Sequence, residues 1–199
     1  MTDDSTKKFD KVIPFTLKKS KVRGRFVKLD QSLNTILKRH NYETPISLSL
    51  ADILCSSCCI GSLLKFKGFF TIQGSSKDTL KTILAECSSE GGIRGYASYD
   101  TKKTILKKDK LNLDQLMSKG HLAFTAIESK SNKRYQGIIP VQNGNFSNSI
   151  DYYFKNSEQI NSEIICSSDF SDNSYISAAI LIQCTPEENN SFNNDYDVF

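Results

Sequence analysis

Between Leu48 and Leu64 the chain reads LSLADILCSSCCIGSLL, a run whose apolar residues fall on every side of a helical wheel rather than along one stripe. A helix with that surface has to be covered all round, so it is expected to be a central helix with other elements packed on opposite sides. Pro45 marks its upstream limit, because proline interrupts a helix arriving from Leu33, Ile36 and Leu37. Asp52 and repeated serines break the run, and Ile46 to Leu64 falls short of the roughly 20 predominantly apolar residues of a membrane span. The N-terminal MTDDSTKKFDKV places acids before its lysines and has no apolar core, unlike an export signal. A cytoplasmic protein with no membrane partner is expected.

Around that helix the pattern is one of strands. Val12 to Leu17 and Val22 to Leu29 read as a hairpin joined by the polar Lys18 to Lys21. Asp30 then caps a short helix that ends at Arg39-His40. Gly68 opens Phe69 to Gln73, and Gly91-Gly92 turns the chain into Ile93 to Tyr99. Asp114-Gln115-Leu116 suits a helical turn, and His121 to Ser129 pairs with Arg134 to Val141 around Lys130 to Lys133. Pro140 lacks a backbone N–H and so belongs at a sheet edge or a strand end. Asn143-Gly144 supplies a tight turn, and Asn145 or Ser147 caps a helix whose apolar side carries Phe146, Ile150, Tyr153 and Phe154. From Ile160 the period becomes two, with Ile164 and Cys166 on the same side, and Tyr175 to Gln183 is a last strand closed by Pro186. Periodicity leaves Leu80 to Cys87 open between helix and strand.

The fold class expected is α+β: a largely antiparallel sheet with a buried central helix and short flanking helices. Its length suits one domain, residues 1–185, followed by an acidic, asparagine-rich start of a linker at 186–199.

The net charge of +4 conceals a gradient: residues 1–40 hold eleven Lys/Arg against four Asp/Glu, and residues 140–199 hold one against nine. Lys18, Lys19, Lys21, Arg23, Arg25 and Lys28, with Phe26 among them, form the best candidate for binding nucleic acid. A single aromatic is a poor stacking platform, however, and the basic residues alternate with apolar ones as on a solvated strand face. Nucleic acid is therefore the disfavoured partner.

Six cysteines in a chain of this length without an export signal read as reduced thiols. Cys55-x-x-Cys58-Cys59 lies in mid-helix, where no free N–H groups stabilise a thiolate. It supplies at most three sulfurs to a metal, with His40 and His121 far away in sequence. Small side chains packing a core helix explain it better, so neither a metal nor another cofactor is expected in this chain. Gly91-Gly92-Ile93-Arg94-Gly95 lacks both the phosphate-loop lysine and the dinucleotide spacing. No nucleophile signature is present, and the protein reads as something other than an enzyme.

The blocks Val22-Arg23-Gly24-Arg25, Leu64-Lys65-Phe66 with Gly68 and Gln73, Ile93-Arg94-Gly95-Tyr96, Tyr135-Gln136-Gly137-Ile138-Ile139-Pro140, Tyr153-Phe154 and Ser157-Glu158-Gln159 resemble, in order and spacing, the redox-regulated chaperone family named for the 33-kDa bacterial heat-shock protein. The resemblance runs from about Phe15 to Pro186 and makes Leu80 to Cys87 a strand. It implies an ATP-independent holdase, usually dimeric, that captures unfolding proteins on apolar surface under oxidative or heat stress. In that family a linker and a C-terminal domain with four zinc-binding cysteines form the redox switch. No cysteine here matches a zinc-ligand position, so the resemblance covers the N-terminal domain and implies client binding without the switch. Pairs of apolar residues two apart, Phe15 with Leu17, Phe70 with Ile72 and Ile180 with Ile182, are the candidates for the client surface. Each pair faces either solvent or core, and spacing alone does not say which. The competing expectation is a structural homodimerisation module that uses the same surface without meeting clients.

Overall fold

A computed structural model of the chain describes residues 10–102, 111–144 and 146–184. The expectations for the N-terminal residues before Asp10, for Asn145 as a cap and for the linker from Pro186 lie outside the described residues.

The expected antiparallel strands form two sheets, with the central helix between them. One sheet contains β1 (Lys11–Leu17), β2 (Val22–Leu29), β9 (Ser174–Cys184) and β8 (Ser162–Ser171), in that order. The other contains β5 (Ile93–Tyr99), β4 (Leu80–Ser88), β3 (Gly68–Ser75), β6 (His121–Glu128) and β7 (Arg134–Pro140). Every neighbouring pair is antiparallel. Pro140 is the last residue of β7, an edge strand, where its missing N–H costs no ladder bond. The short helices are α1 (Gln31–Leu37), α3 (Leu113–Leu116) and α4 (Phe146–Tyr153); α4 runs on into a π-helical turn, Phe154–Glu158.

The central helix, α2, spans Thr44–Gly61 and starts before the proline expected to precede it. Pro45 sits in the first turn, where its N–H would have no intrahelical acceptor and its fixed φ suits the helix. From there α2 packs on β2, β8 and β9 of one sheet and on β3, β4 and β5 of the other. Length and composition alone would let it cross a membrane, yet 94% of it is buried inside the protein. Two of its buried serines bond the same helix, Ser49 Oγ donating to Pro45 O at 2.9 Å and Ser57 Oγ to Leu54 O at 2.8 Å, whereas the buried Ser56 Oγ has no partner among the described residues. Asp52, also buried, accepts a hydrogen bond from Ser168 Oγ, which bonds Ser177 Oγ as well, so this carboxylate ties the helix to β8 and β9.

The thiols of the Cys55-x-x-Cys58-Cys59 motif divide between the two sheets. Cys55 Sγ approaches Val27 O at 3.5 Å and Cys59 Sγ approaches Ala179 O at 3.6 Å, both in the four-stranded sheet. Cys58 meets Cys87 of β4, in the five-stranded one. Burial pushes the Cys55 thiol up to about 12, and burial likewise holds Cys59 far above its ordinary value. They pack as small apolar side chains, which is the role their mid-helix position suggested.

Asp30 does stand at the start of α1, but its side chain makes no capping bond. The cap comes from Asp10, just before β1: Asp30 N donates to its Oδ1 at 2.7 Å and Ser32 N to its Oδ2 at 2.9 Å. On the same helix Asn34 is buried and grips β9, donating from Nδ2 to Tyr175 O at 2.7 Å and accepting from Tyr175 N at 2.9 Å. The hairpin and the helix that follows it are thus fixed to each other by side chains far apart in sequence.

Replacing the capping carboxylate, Asp10→Ala, is expected to cost about 1 kcal/mol, read as a lower urea midpoint with an unchanged slope. In native protein at pH 8, Cys184, which is exposed, should react with Ellman's reagent at an ordinary rate. Cys55, with a thiol near 12, should react about 10³-fold more slowly for lack of thiolate, and reach an ordinary rate on unfolding.

Candidate functional site

Register and burial together separate the two faces of the four-stranded sheet. Toward α2 the strands present Val27 and Leu29 of β2, Ile164 of β8, and Ala179 and Leu181 of β9, all buried. The intervening residues therefore point away from the helix. One row across that outer face reads Ile13, Phe26, Ile180, Ile165, one residue from each strand. The next row reads Phe15, Gly24, Ile182, Glu163, and the one beyond it Leu17, Val22, Cys184. Ile165 is 59% exposed, Leu17 54% and Ile182 36%. Large apolar side chains in contiguous rows on the outside of a sheet are an exception to ordinary protein surface, where such residues occur singly.

Two of the three expected pairs belong to this face. Leu17 and Ile182 are exposed, while Phe15 and Ile180 are half-buried among their neighbours. Phe15 owes its partial cover to Gly24: a Cβ there would lie 2.2 Å from the Phe15 ring and 2.5 Å from Leu181 O, so only glycine lets the ring lie across β2. The third pair, Phe70 with Ile72, is corrected by the structure. Both residues are buried beneath α2, at 4% and 0% exposure, because β3 is the central strand of the five-stranded sheet and turns this side to the helix. Ile13, Phe26, Ile165 and Ile176 join the face unexpectedly. Each shows the same alternation as its strand neighbours; what the sequence did not show is that β1, β2, β8 and β9 share one sheet.

The outer face of the five-stranded sheet is different in chemistry. A row crossing all five strands reads Arg94, Glu86, Thr71, Thr125, Gln136. Arg94 Nε pairs with Glu86 Oε1 at 2.7 Å, Thr71 Oγ1 donates to Glu86 Oε2 at 2.9 Å, and Gln136 Nε2 donates to Thr125 Oγ1 at 2.8 Å. Exposed Phe69, Tyr96 and Ile138 stand apart from one another around this polar row.

The basic cluster does not form one patch. Arg23 and Arg25 share the helix-facing side of β2 with Val27, and Arg23 Nε donates to the buried Gln183 Oε1 at 3.3 Å. Lys28 lies on the opposite face, and Lys18, Lys19 and Lys21 surround the β1–β2 turn. The cysteines do not converge on a metal either. Cys55 and Cys59 approach carbonyls of the four-stranded sheet, Cys58 meets Cys87 on the other side of α2, and Cys166 lies 3.4 Å from Ser147 Oγ. Among the described residues no group of three or more potential ligands could hold an ion, and the thiols present do not fit the zinc of the resembled family.

Comparison with known proteins agrees with this architecture. The family described as Hsp33 protein matches residues 10–197. A 33 kDa chaperonin of Pseudomonas putida is 34% identical over 140 residues, which cover 70% of this chain and 46% of the relative. One from Proteus mirabilis is 28% identical over 179 residues, 90% of this chain and 59% of the relative. The chain thus spans about half the length of the curated relatives it matches. The crystal structure of the 33 kDa chaperonin from Thermotoga maritima shares the fold, with a TM-score of 0.77 over 87% of this chain and 60% of that one, at 19% identity. With the family match covering nearly all of its length, and with two antiparallel sheets closed on one buried helix, the chain belongs to the Hsp33 family.

Proposed function

We propose that the outer face of the four-stranded sheet is the client-binding surface of an ATP-independent holdase chaperone. The reading rests on one observation: Ile13, Phe26, Ile180 and Ile165 line up across four strands, with Phe15, Leu17 and Ile182 beside them. Apolar burial is non-directional and scales with area, at roughly 25 cal/mol per Å². A surface of this kind gains free energy from any unfolding chain that offers apolar side chains, whatever its sequence. The matched relatives carry the name chaperonin, which supports the same class of activity for this chain.

In this reading residues 1–185 form the client-binding domain, residues 186–199 begin a linker, and the protein works in the cytoplasm without catalysing a reaction. Binding by this chain then needs neither zinc nor an oxidant in our reading, which is supported by the exposure of Leu17, Ile165 and Ile182 among the described residues. The same rows could meet their equivalent in a second copy, and a homodimer would then compete with clients for the face.

The test is suppression of light scattering from a chemically unfolded client, in reducing buffer and without nucleotide. The double substitution Ile165→Lys with Ile182→Lys is expected to weaken capture by about tenfold, as loss of about 1.4 kcal/mol of burial dictates. Ile138→Lys, on the other sheet and similarly exposed at 61%, should leave it unchanged. Failure of the reduced chain to suppress scattering, with success after peroxide treatment, would refute oxidant-independent binding. A dimer that excludes a hydrophobic dye and ignores clients would assign the face to assembly instead.

A further inference from the structure

The contact between Cys58 and Cys87 is unlike those of the other thiols. Cys58 lies on α2 and Cys87 on β4, elements that pack directly. Both are buried, at 2% and 7% exposure. Gly61, one helical turn after Cys58 on the same side of α2, shows how closely the strand approaches. A Cβ built on it would lie 3.3 Å from Cys87 Cβ and 3.5 Å from Cys87 Sγ. The side chain of Cys87 therefore rests against the helix surface one turn from Cys58, close enough for the two thiols to influence each other's ionisation. Disulfides need this kind of approach, because they span only short Cα separations.

We propose that Cys58 and Cys87 form an oxidisable pair, joined by peroxide into a disulfide that fastens the central helix to the five-stranded sheet. The neighbouring Cys58 thiol holds the Cys87 thiol below its ordinary value, whereas burial pushes Cys55 and Cys59 up, so Cys87 is the favoured nucleophile of the buried set. Its thiolate attacks one oxygen of hydrogen peroxide, breaking the O–O bond to give the sulfenic acid and hydroxide, which takes up the proton that Cys87 released. The Cys58 sulfur then attacks the sulfenic sulfur, and the S–O bond breaks with loss of water. Two thiols and one peroxide yield one disulfide and two waters. The link lies on the side of α2 away from the apolar rows, so it clamps the domain without covering that face.

The experiment treats the folded chain with hydrogen peroxide, blocks the remaining thiols in denaturant with N-ethylmaleimide, and maps non-reduced tryptic peptides. The expected product joins the peptide of residues 40–65 to that of residues 82–94. Free thiols should fall from six to four per chain, and dithiothreitol should restore them. Oxidised protein should melt at a higher temperature than reduced protein, and Cys87→Ala should remove both the link and the increment. These readouts do not depend on client capture, so they stand or fall separately from the holdase reading. Six titratable thiols after peroxide, over-oxidised Cys87 without a link, or links confined to Cys184 would each overturn the proposal. An equal yield of the link from urea-unfolded chain would overturn it as well, because the native contact would then direct nothing.

Discussion

Covering α2 on two sides is the constraint on which the rest of this fold depends. An eighteen-residue helix whose surface is apolar nearly all round cannot lie on a single sheet, because half of it would remain in water. Two antiparallel sheets close on it, and each contributes one apolar side. Asp52 shows the same arrangement in polar terms, since its buried carboxylate is satisfied by a serine of β8 that also reaches one of β9. A polar group buried there is satisfied only in the arrangement that brings those partners in, which adds specificity to the bulk of the burial.

What the sequence revealed follows from how local each signal was. Strand limits set by Gly68, Gly91-Gly92 and Pro140 hold nearly to the residue, because turn and edge chemistry act within a few positions. Pro45 misled for an equally local reason: proline breaks a helix interior but suits the first turn, and only the cap position distinguishes the two. The expected surface pairs divide along another line. Phe15, Leu17, Ile180 and Ile182 share an outer face, while Phe70 and Ile72 carry the same alternation and face the helix. Alternation states that a strand has two sides without saying which is wet, and that depends on pairings as distant as β2 with β9. Asp10 and Asn34 escaped notice for the same cause, each acting on a backbone many residues away.

The two outer faces differ in the row that crosses their middle. On the five-stranded sheet, Arg94, Glu86 and Thr71 join in a bonded row that interacts well with water. On the four-stranded sheet the equivalent positions are isoleucine and phenylalanine. The difference lies entirely on the solvent side and owes nothing to core packing, since both sheets are complete without it. Residues that contribute little to closing the domain, yet are apolar in contiguous rows, fit a role in contact with something beyond it.

The edges of the apolar sheet bear on how such contact proceeds. β1 carries Pro14, which leaves one position of its free edge without a donor, and on β8 the N–H of Ile164 is taken by Asp151 of α4 at 2.9 Å. Strand-to-strand addition along either margin is interrupted, while the flat of the sheet stays open. A surface built this way offers an apolar partner its flat and not its margins, so contact with it does not template the addition of further strands.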